Sequence, residues 1–77
     1  MKMQQRNSIL ITFGRNIRSR REARGLTQEK LAELAELDRS FISDVERGGR
    51  NISLLNIQRI AKALRTTVSE LTRGLDD

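Results

Sequence analysis

The amino-acid sequence predicts an all-α domain built from five helices, none of them long. Apolar residues recur at intervals of three and four, which is the spacing of one helix face. The chain has no proline and only five glycines, so few positions would interrupt a helix. No stretch alternates apolar and polar residues as a half-buried strand does. With 77 residues, the chain is long enough for a single domain with one modest core.

The first helix is predicted over about residues 8–24. Its apolar residues lie four apart and form one stripe: Ile9, Phe13 and Ile17. Gly25 ends the helix in a left-handed conformation, and Leu26 folds back as a hydrophobic contact. Residues 1–8 are interpreted as a flexible N-terminal arm with a frayed end, the alternative being an arm that touches phosphate.

Capping residues open the second and third helices. Thr27 is an N-cap whose hydroxyl satisfies a free backbone N–H, and the helix after it runs to about residue 35. Asp38 is the next N-cap, and its helix ends near residue 47, where a pair of glycines stops it. Only residues 36–38 connect the two helices. So short a connection predicts the steep crossing of a helix-turn-helix unit over residues 28–47.

Ser53 is predicted to cap the fourth helix. The apolar stripe of this helix comprises Leu54, Ile57, Ile60, Ala61 and Leu64. A final short helix is expected from about Val68 to Arg73, with Val68 and Leu71 facing inward. The five helices together make one folded domain over residues 9–75.

The composition argues against several kinds of site. The chain has no cysteine and no histidine, so it offers no disulfide, no thiolate nucleophile and no Cys/His zinc site. Two phenylalanines are the only aromatic residues, and no group of carboxylates marks a pocket for acid–base chemistry. We therefore expect no enzyme, no cofactor and no metal. Apolar runs are too short for a membrane span or a signal peptide, and the absence of cysteine fits the cytoplasm.

Charge is distributed along the chain in blocks. The net charge is +5, and residues 1–26 carry seven basic residues and one acid. Residues 27–46 carry six acids and two basic residues, whereas residues 47–65 carry five basic residues and no acid. Basic blocks on a small body favour a polyanionic partner, either nucleic acid or an anionic membrane. The alternative is a set of solvated helix faces, which is what most charge runs are.

The third helix is predicted to be amphipathic with a small, polar outer face. At about 100° per residue, Arg39, Ser40 and Ser43 share one side. The apolar residues Phe41, Ile42 and Val45 share the other. Small hydroxyl side chains let a helix approach base edges, and an arginine at its start can donate two hydrogen bonds to guanine. An ordinary surface helix explains the same pattern alone, but it does not explain the basic blocks on either side.

Four segments carry a resemblance to a known family. They run from Thr27 to Ala32, from Leu37 to Ser43, from Val45 to Gly48 and from Leu54 to Leu64. Together they resemble the lambda-repressor-like (Xre/Cro) helix-turn-helix DNA-binding family, over about residues 13–75. The run from Asp38 to Asn51 looks most like the controller proteins of restriction-modification systems.

The resemblance implies roles for particular residues. Arg39, Ser40 and Ser43 would read base edges in the major groove. The implied phosphate-binding residues are Gln28, Arg47, Arg50 and Asn51. For Arg47, Arg50 and Asn51, the alternative is that they are solvated loop residues that contact no phosphate.

The resemblance also implies a structural ion pair, and at one position the sequence departs from the family pattern. Arg21 and Glu46 match positions that pair in the family, and we expect a structural pair rather than a catalytic one. Glu36 stands where family members commonly have glycine or asparagine. A left-handed glutamate costs about 1 to 2 kcal/mol, so this turn is either strained or built differently.

The short chain and the family resemblance both point to a homodimer. Leu55 falls opposite the apolar stripe of its helix, and a chain of this length often needs a partner subunit. The predicted interface lies within residues 52–75 and comprises Ile52, Leu55, Leu71 and Leu75. A twofold dimer would set its two recognition helices about 34 Å apart.

The sequence therefore predicts a dimeric transcriptional regulator that binds double-stranded DNA at a pseudo-palindromic operator. It is interpreted as the controller of a restriction-modification system, with RNA polymerase as a candidate partner and no membrane partner. An antitoxin or phage-type repressor is the alternative within DNA binding. A helical module that binds an acidic protein is the alternative outside it.

Overall fold

The computed structural model describes the backbone of residues 3–76 and the side chains of residues 8–76. Its five helices are α1 (Met3–Ala23), α2 (Gln28–Ala35), α3 (Arg39–Glu46), α4 (Leu54–Ala63) and α5 (Val68–Leu71). No strand occurs within these residues, and the predicted all-α class with five helices is confirmed.

The core lies where the five helices meet. Each helix contributes at least one side chain that is almost fully buried: Ile17, Leu31, Ile42, Val45, Ile60 and Leu71. α3 packs against both α1 and α2, and α4 packs against α2 on the other side. Since burying one such side chain contributes about 1.5 to 3 kcal/mol, these contacts fix the position of α3 in the domain.

Two of the three predicted caps, Thr27 and Ser53, make the expected side-chain hydrogen bond, and Asp38 does not. The Thr27 hydroxyl accepts a hydrogen bond from the Lys30 N–H at 2.9 Å, and the Ser53 hydroxyl accepts one from Asn56 at 3.1 Å. Asp38 takes the extended conformation of an N-cap, but its side chain makes no capping hydrogen bond. α3 therefore begins at the predicted residue without the predicted side-chain bond.

The first four helices end in the same hydrogen-bonded turn. In each, the N–H of a left-handed residue donates to the carbonyl three residues back, and the following N–H donates five residues back. Glycines hold the left-handed position after α1 (Gly25) and after α3 (Gly48). After α2 and α4 it is held by Glu36 (φ 60°) and Arg65 (φ 57°). The turn of the helix-turn-helix unit is thus left-handed and strained, which decides between the two possibilities open for Glu36.

Two predicted boundaries need correction. α1 begins at Met3, well before its predicted start near residue 8, while Met1 and Lys2 lie outside the described residues. Glutamine, methionine and arginine favour helix, and neither glycine nor proline interrupts this segment. α5 ends at Leu71, short of the predicted Arg73.

One core prediction on α4 is wrong. Leu54 is 72% exposed, although Ile60, Ala61 and Leu64 of the same stripe are buried. Leu54 is the first residue of the helix, at the edge of the stripe, and its side chain projects beyond the packed region. Leu54 therefore joins Leu55 on the surface.

Candidate nucleic-acid interface

The outer face of α3 is open. Ile42 and Val45 are buried beneath the helix, while Arg39 and Ser40 are exposed and Ser43 is half-exposed. Arg39 makes no side-chain hydrogen bond or ion pair with any described residue, so its guanidinium is available to an outside partner. The structure thus brings the three predicted base-reading residues together on one accessible surface.

A buried carboxylate holds the C-terminal end of α3. Glu46 has a side chain only 3% exposed, and it accepts hydrogen bonds from Arg21 Nε at 2.6 Å and Arg21 Nη2 at 3.0 Å. Arg21 Nη1 also donates to the Leu26 carbonyl at 2.8 Å. The hydrogen bond to Glu46 raises the pKa of Arg21 above its ordinary value. The predicted structural ion pair is therefore present and ties α1 to α3.

Gln28 belongs to the same cluster. Its side-chain Nε2 donates to Glu46 Oε1 at 3.0 Å, so the carboxylate links α1, α2 and α3. Gln28 is half-buried at the start of α2, where sequence analysis placed a phosphate contact. A phosphate at that position would have to share or displace the bond to Glu46, because the side-chain amide already has this acceptor.

α1 also approaches α3 very closely at this end. A Cβ on Gly14 would stand 2.4 Å from the Val45 carbonyl oxygen and 2.5 Å from that of Glu46. Only glycine fits so near a neighbouring backbone. The buried end of α3 is therefore fixed by both an ion pair and tight packing.

The two predicted phosphate-binding arginines gather around a residue that sequence analysis did not select. Arg47 Nη2 pairs with Asp44 Oδ1, and Arg50 Nε lies 3.7 Å from Asp44 Oδ2. Arg47 Nη1 also donates to the Ser43 hydroxyl at 2.7 Å. Arg50 lies over the Phe41 ring, with Cζ 5.0 Å from the centroid. All of these groups border the open face of α3.

Comparison with known proteins agrees with this geometry. The family model described as helix-turn-helix matches residues 17–71. Control protein C.BamHI of Bacillus amyloliquefaciens is 46% identical over 66 residues, which are 84% of this chain and 82% of that protein. The crystal structure of the restriction-modification controller protein C.AhdI from Aeromonas hydrophila matches with a TM-score of 0.79 and 52% identity, over 80% of this chain and 94% of that one.

This chain belongs to the helix-turn-helix family of control proteins. The predicted family is confirmed, and with it the prediction of a DNA-binding transcription regulator. A further relative, controller protein C.Esp1396I, was crystallised as a tetramer in complex with its natural 35 base-pair operator. It is 33% identical to this chain, with a TM-score of 0.78 over 87% of this chain and 88% of that one.

In this control protein, the surface that is open to a partner subunit differs in part from the predicted dimer interface. Leu71 is 0% exposed and belongs to the core, because its side chain lies on the inner side of α5. Ile52 and Leu75 are half-buried and pack against the core. Leu75 lines a hollow with Ser8, Ile9 and Thr12 of α1. Of the four predicted interface residues, only Leu55 is largely exposed.

An open apolar hollow surrounds Leu55. It is lined by Leu54, Leu55, Gln58 and Val68, and the two leucines are 72% and 62% exposed. α5 forms one wall and is held to α1 by the Asn16 side-chain amide, which donates to the Leu71 and Arg73 carbonyls, each at 2.9 Å. Leu54 had been predicted to face inward and does not, whereas Val68 packs partly against the core as predicted. Of the residues that line this hollow, only Leu55 had been predicted to lie in the interface.

The Asp44 cluster had a local signal in the sequence. Asp44 and Arg47 are three apart on a helix surface, a spacing at which opposite charges pair. Arg50 carries no such signal, since it approaches Asp44 only because the chain turns back after α3.

In the part of the chain that the structure describes, no helix has the length and apolar character needed to cross a membrane.

Proposed function

We propose that this protein is a homodimeric controller of a restriction-modification system that binds a pseudo-palindromic operator through α3. The observation that supports this most directly is the open polar face of α3, bordered by arginines and held rigidly from behind by the Glu46 cluster. A helix that must fit a groove benefits from such support, because an error of an ångström would separate its side chains from the base edges.

Base readout is assigned to Arg39, Ser40 and Ser43. Arg39 stands at the N-terminal end of α3 with an unpaired guanidinium among the described residues, and it suits the O6 and N7 acceptors of a guanine. The two serines are short enough to let the helix backbone approach the groove. The Ser43 hydroxyl accepts a hydrogen bond from Arg47, and its own O–H can still donate to a base acceptor.

Phosphate binding is assigned to Gln28, Arg47, Arg50 and Asn51. Arg47, Arg50 and Asn51 are exposed at or after the end of α3, and Gln28 lies at the N-terminal end of α2, where helix N–H groups favour an anion. Contacts of this kind position a protein on the duplex without reading its sequence. They give a role to Arg47 and Arg50, two of the five basic residues in the block that follows α3.

The hollow around Leu55 is the proposed dimer surface. Two exposed leucines beside Val68 leave apolar area that a second copy of the chain would cover, and the domain is small enough to gain stability from a partner. A twofold arrangement sets the α3 helices about 34 Å apart, one turn of the duplex. In this role the protein works in the cytoplasm, has no catalytic activity, and blocks or recruits RNA polymerase at the promoter.

Fluorescence anisotropy with duplex DNA tests the proposal. The parent protein is titrated with a random-sequence duplex and with a consensus duplex obtained by selection, at two salt concentrations. We expect a steep linear fall of log K with log salt, with a slope of about −0.9 for each phosphate contacted. A module that binds an acidic protein instead would show no such affinity for either duplex.

Arg39→Ala identifies the reading residue. It should weaken the consensus duplex by about 1 to 3 kcal/mol and relax the preference at one base position. Gln28→Ala serves as the control, because loss of a phosphate contact should weaken all sequences alike. Equal weakening of every duplex by Arg39→Ala would mean that another residue reads the base.

A further inference from the structure

Asp44 lies on the polar side of α3, the proposed DNA-binding helix. A carboxylate there is repelled by the phosphates of an approaching duplex. Its side chain is 34% exposed. Each of its carboxylate oxygens faces a different arginine: Oδ1 pairs with Arg47, and Oδ2 lies 3.7 Å from Arg50 Nε. These are the same two arginines to which phosphate binding is assigned.

The carboxylate and a DNA phosphate compete for the same donors. Both present anionic oxygens to guanidinium N–H groups, so an arginine held by Asp44 is less available to the duplex. Arg47 additionally donates to the Ser43 hydroxyl at 2.7 Å, a third contact that must break if Arg47 turns toward a phosphate. DNA binding must therefore exchange three contacts of the free protein, all of them within or beside the same ion cluster.

The exchange is inexpensive, because the members of the cluster are exposed. The side chains of Arg47 and Arg50 are 67% and 51% exposed, and ion pairs at such positions are weak and are screened by salt. Every duplex must displace Asp44 from these arginines, so the penalty is the same for any sequence. A duplex with correct base contacts still binds tightly, whereas one that offers only phosphates has nothing else to offset the penalty. Arg39 and Ser40 have no bond to Asp44, so their contribution is independent of the cluster.

We propose that Asp44 is a positioning residue that lowers the affinity for DNA of any sequence by holding Arg47 and Arg50 in the free protein. It acts through these arginines and makes no base contact itself. The proposal rests on the phosphate-binding role assigned to Arg47 and Arg50. Its effect is to keep binding to DNA outside the operator weak, since such DNA offers no correct base contacts that would offset the penalty.

The test compares Asp44→Asn with Glu33→Gln. Both substitutions remove one negative charge and keep the side-chain shape. Glu33 is a matched control, because it lies on α2, is 71% exposed and, among the described residues, pairs only with Lys30, at 3.4 Å. Any effect of net charge alone appears in both variants. Asp44→Ser is measured as well, so that a new hydrogen bond from asparagine to a base cannot imitate the result, and thermal unfolding checks that all variants are folded.

Anisotropy titrations use a random-sequence duplex and the selected consensus duplex over a range of salt. Asp44→Asn and Asp44→Ser should bind the random duplex about tenfold more tightly than the parent, since a dimer contains four such exposed ion pairs of small individual effect. Their salt slope should steepen by about one for each arginine that gains a phosphate. The consensus duplex should gain by a similar factor, because the same arginines bind phosphate in both complexes. Glu33→Gln should change neither affinity by more than about twofold.

Three outcomes overturn the proposal. Unchanged affinity and salt slope for the random duplex would show that the carboxylate does not restrain the arginines. A selective loss of affinity for the consensus duplex would show that Asp44 contacts a base, since a carboxylate can accept a hydrogen bond from cytosine N4. Absence of duplex binding by every variant and by the parent would remove the proposed function together with this inference, whereas normal parental binding with no gain in affinity in the Asp44 variants removes the inference alone.

Discussion

Glu46 and Asp44 stand two residues apart on α3, and each carboxylate is paired with arginine, yet their surroundings differ sharply. The Glu46 side chain is 3% exposed and joins three helices, whereas the Asp44 side chain is 34% exposed and joins only neighbours along the chain. In a buried site, losing one partner leaves an uncompensated charge out of water. At an exposed site, solvent and ions replace the lost partner.

Burial, and not pairing alone, therefore separates a structural carboxylate from one whose partners can be replaced. The end of α3 that faces α1 is fixed, while the side that faces solvent can exchange its contacts for others. A DNA-binding helix needs both properties. Its backbone must keep one position, and its outer side chains must be free to change partners when the duplex arrives.

Arg21→Ala should have the largest effect on stability. It leaves Glu46 buried with only Gln28 as a side-chain partner, and we expect a loss of about 3 to 5 kcal/mol in the free energy of unfolding, measured in urea. Arg18→Ala is the control, because its pair with Glu22 is mostly exposed on both sides and should be worth less than about 1 kcal/mol. If the two variants unfold at the same urea concentration, the contrast between buried and exposed pairs is wrong.

Gly14→Ala tests the packing at the same buried end. The new methyl group would meet the Val45 and Glu46 carbonyl oxygens at 2.4 and 2.5 Å, so α1 and α3 must separate. We expect a loss of about 1 to 3 kcal/mol, as for other overpacked sites, although alanine favours helix. Gly49→Ala is the matched control on the open side, where the nearest atom, the Asp44 carbonyl oxygen, would be 3.4 Å away. Similar unfolding curves for both variants would contradict the close approach.

Sequence reasoning predicted the features that depend on local chemistry. Thr27 and Ser53 were identified as caps because a hydroxyl before a helix satisfies a free N–H, and Gly25 because a left-handed end favours glycine. The Arg21 and Glu46 pair followed from resemblance alone, since the two residues lie 25 positions apart. No periodicity in the sequence connects them.

The features that were missed depend on how elements meet in space. The sequence placed Leu71 both on the inner face of its helix and in the dimer interface, because a helix of only four residues is too short for an apolar stripe to decide between the two. The approach of Arg50 to Asp44 depends on the path of the loop after α3. The conformation of Glu36 was left open, because nothing in the local sequence decides between a strained turn and a different one.

Glu36→Gly should have the smallest effect, and in the opposite direction. Glycine adopts the left-handed conformation without the steric penalty that glutamate carries at φ 60°, but it loses more freedom on folding. The balance predicts a gain of about 1 kcal/mol or less, seen as a rise of a few degrees in the melting temperature. Arg65→Gly should behave similarly, because Arg65 holds the same position after α4 at φ 57°.

DNA binding by Glu36→Gly tests whether the turn before α3 affects the position of that helix on the duplex. The backbone bond from Leu37 N–H to the Ala32 carbonyl, at 2.9 Å, involves no side chain and should persist in the variant. The Glu46 cluster and the close approach of α1 lie at the other end of α3 and also persist. We therefore expect Glu36→Gly to bind the consensus duplex with the same affinity as the parent. A changed affinity at equal or higher stability would show that the turn, and not the buried end alone, sets the position of the helix on DNA.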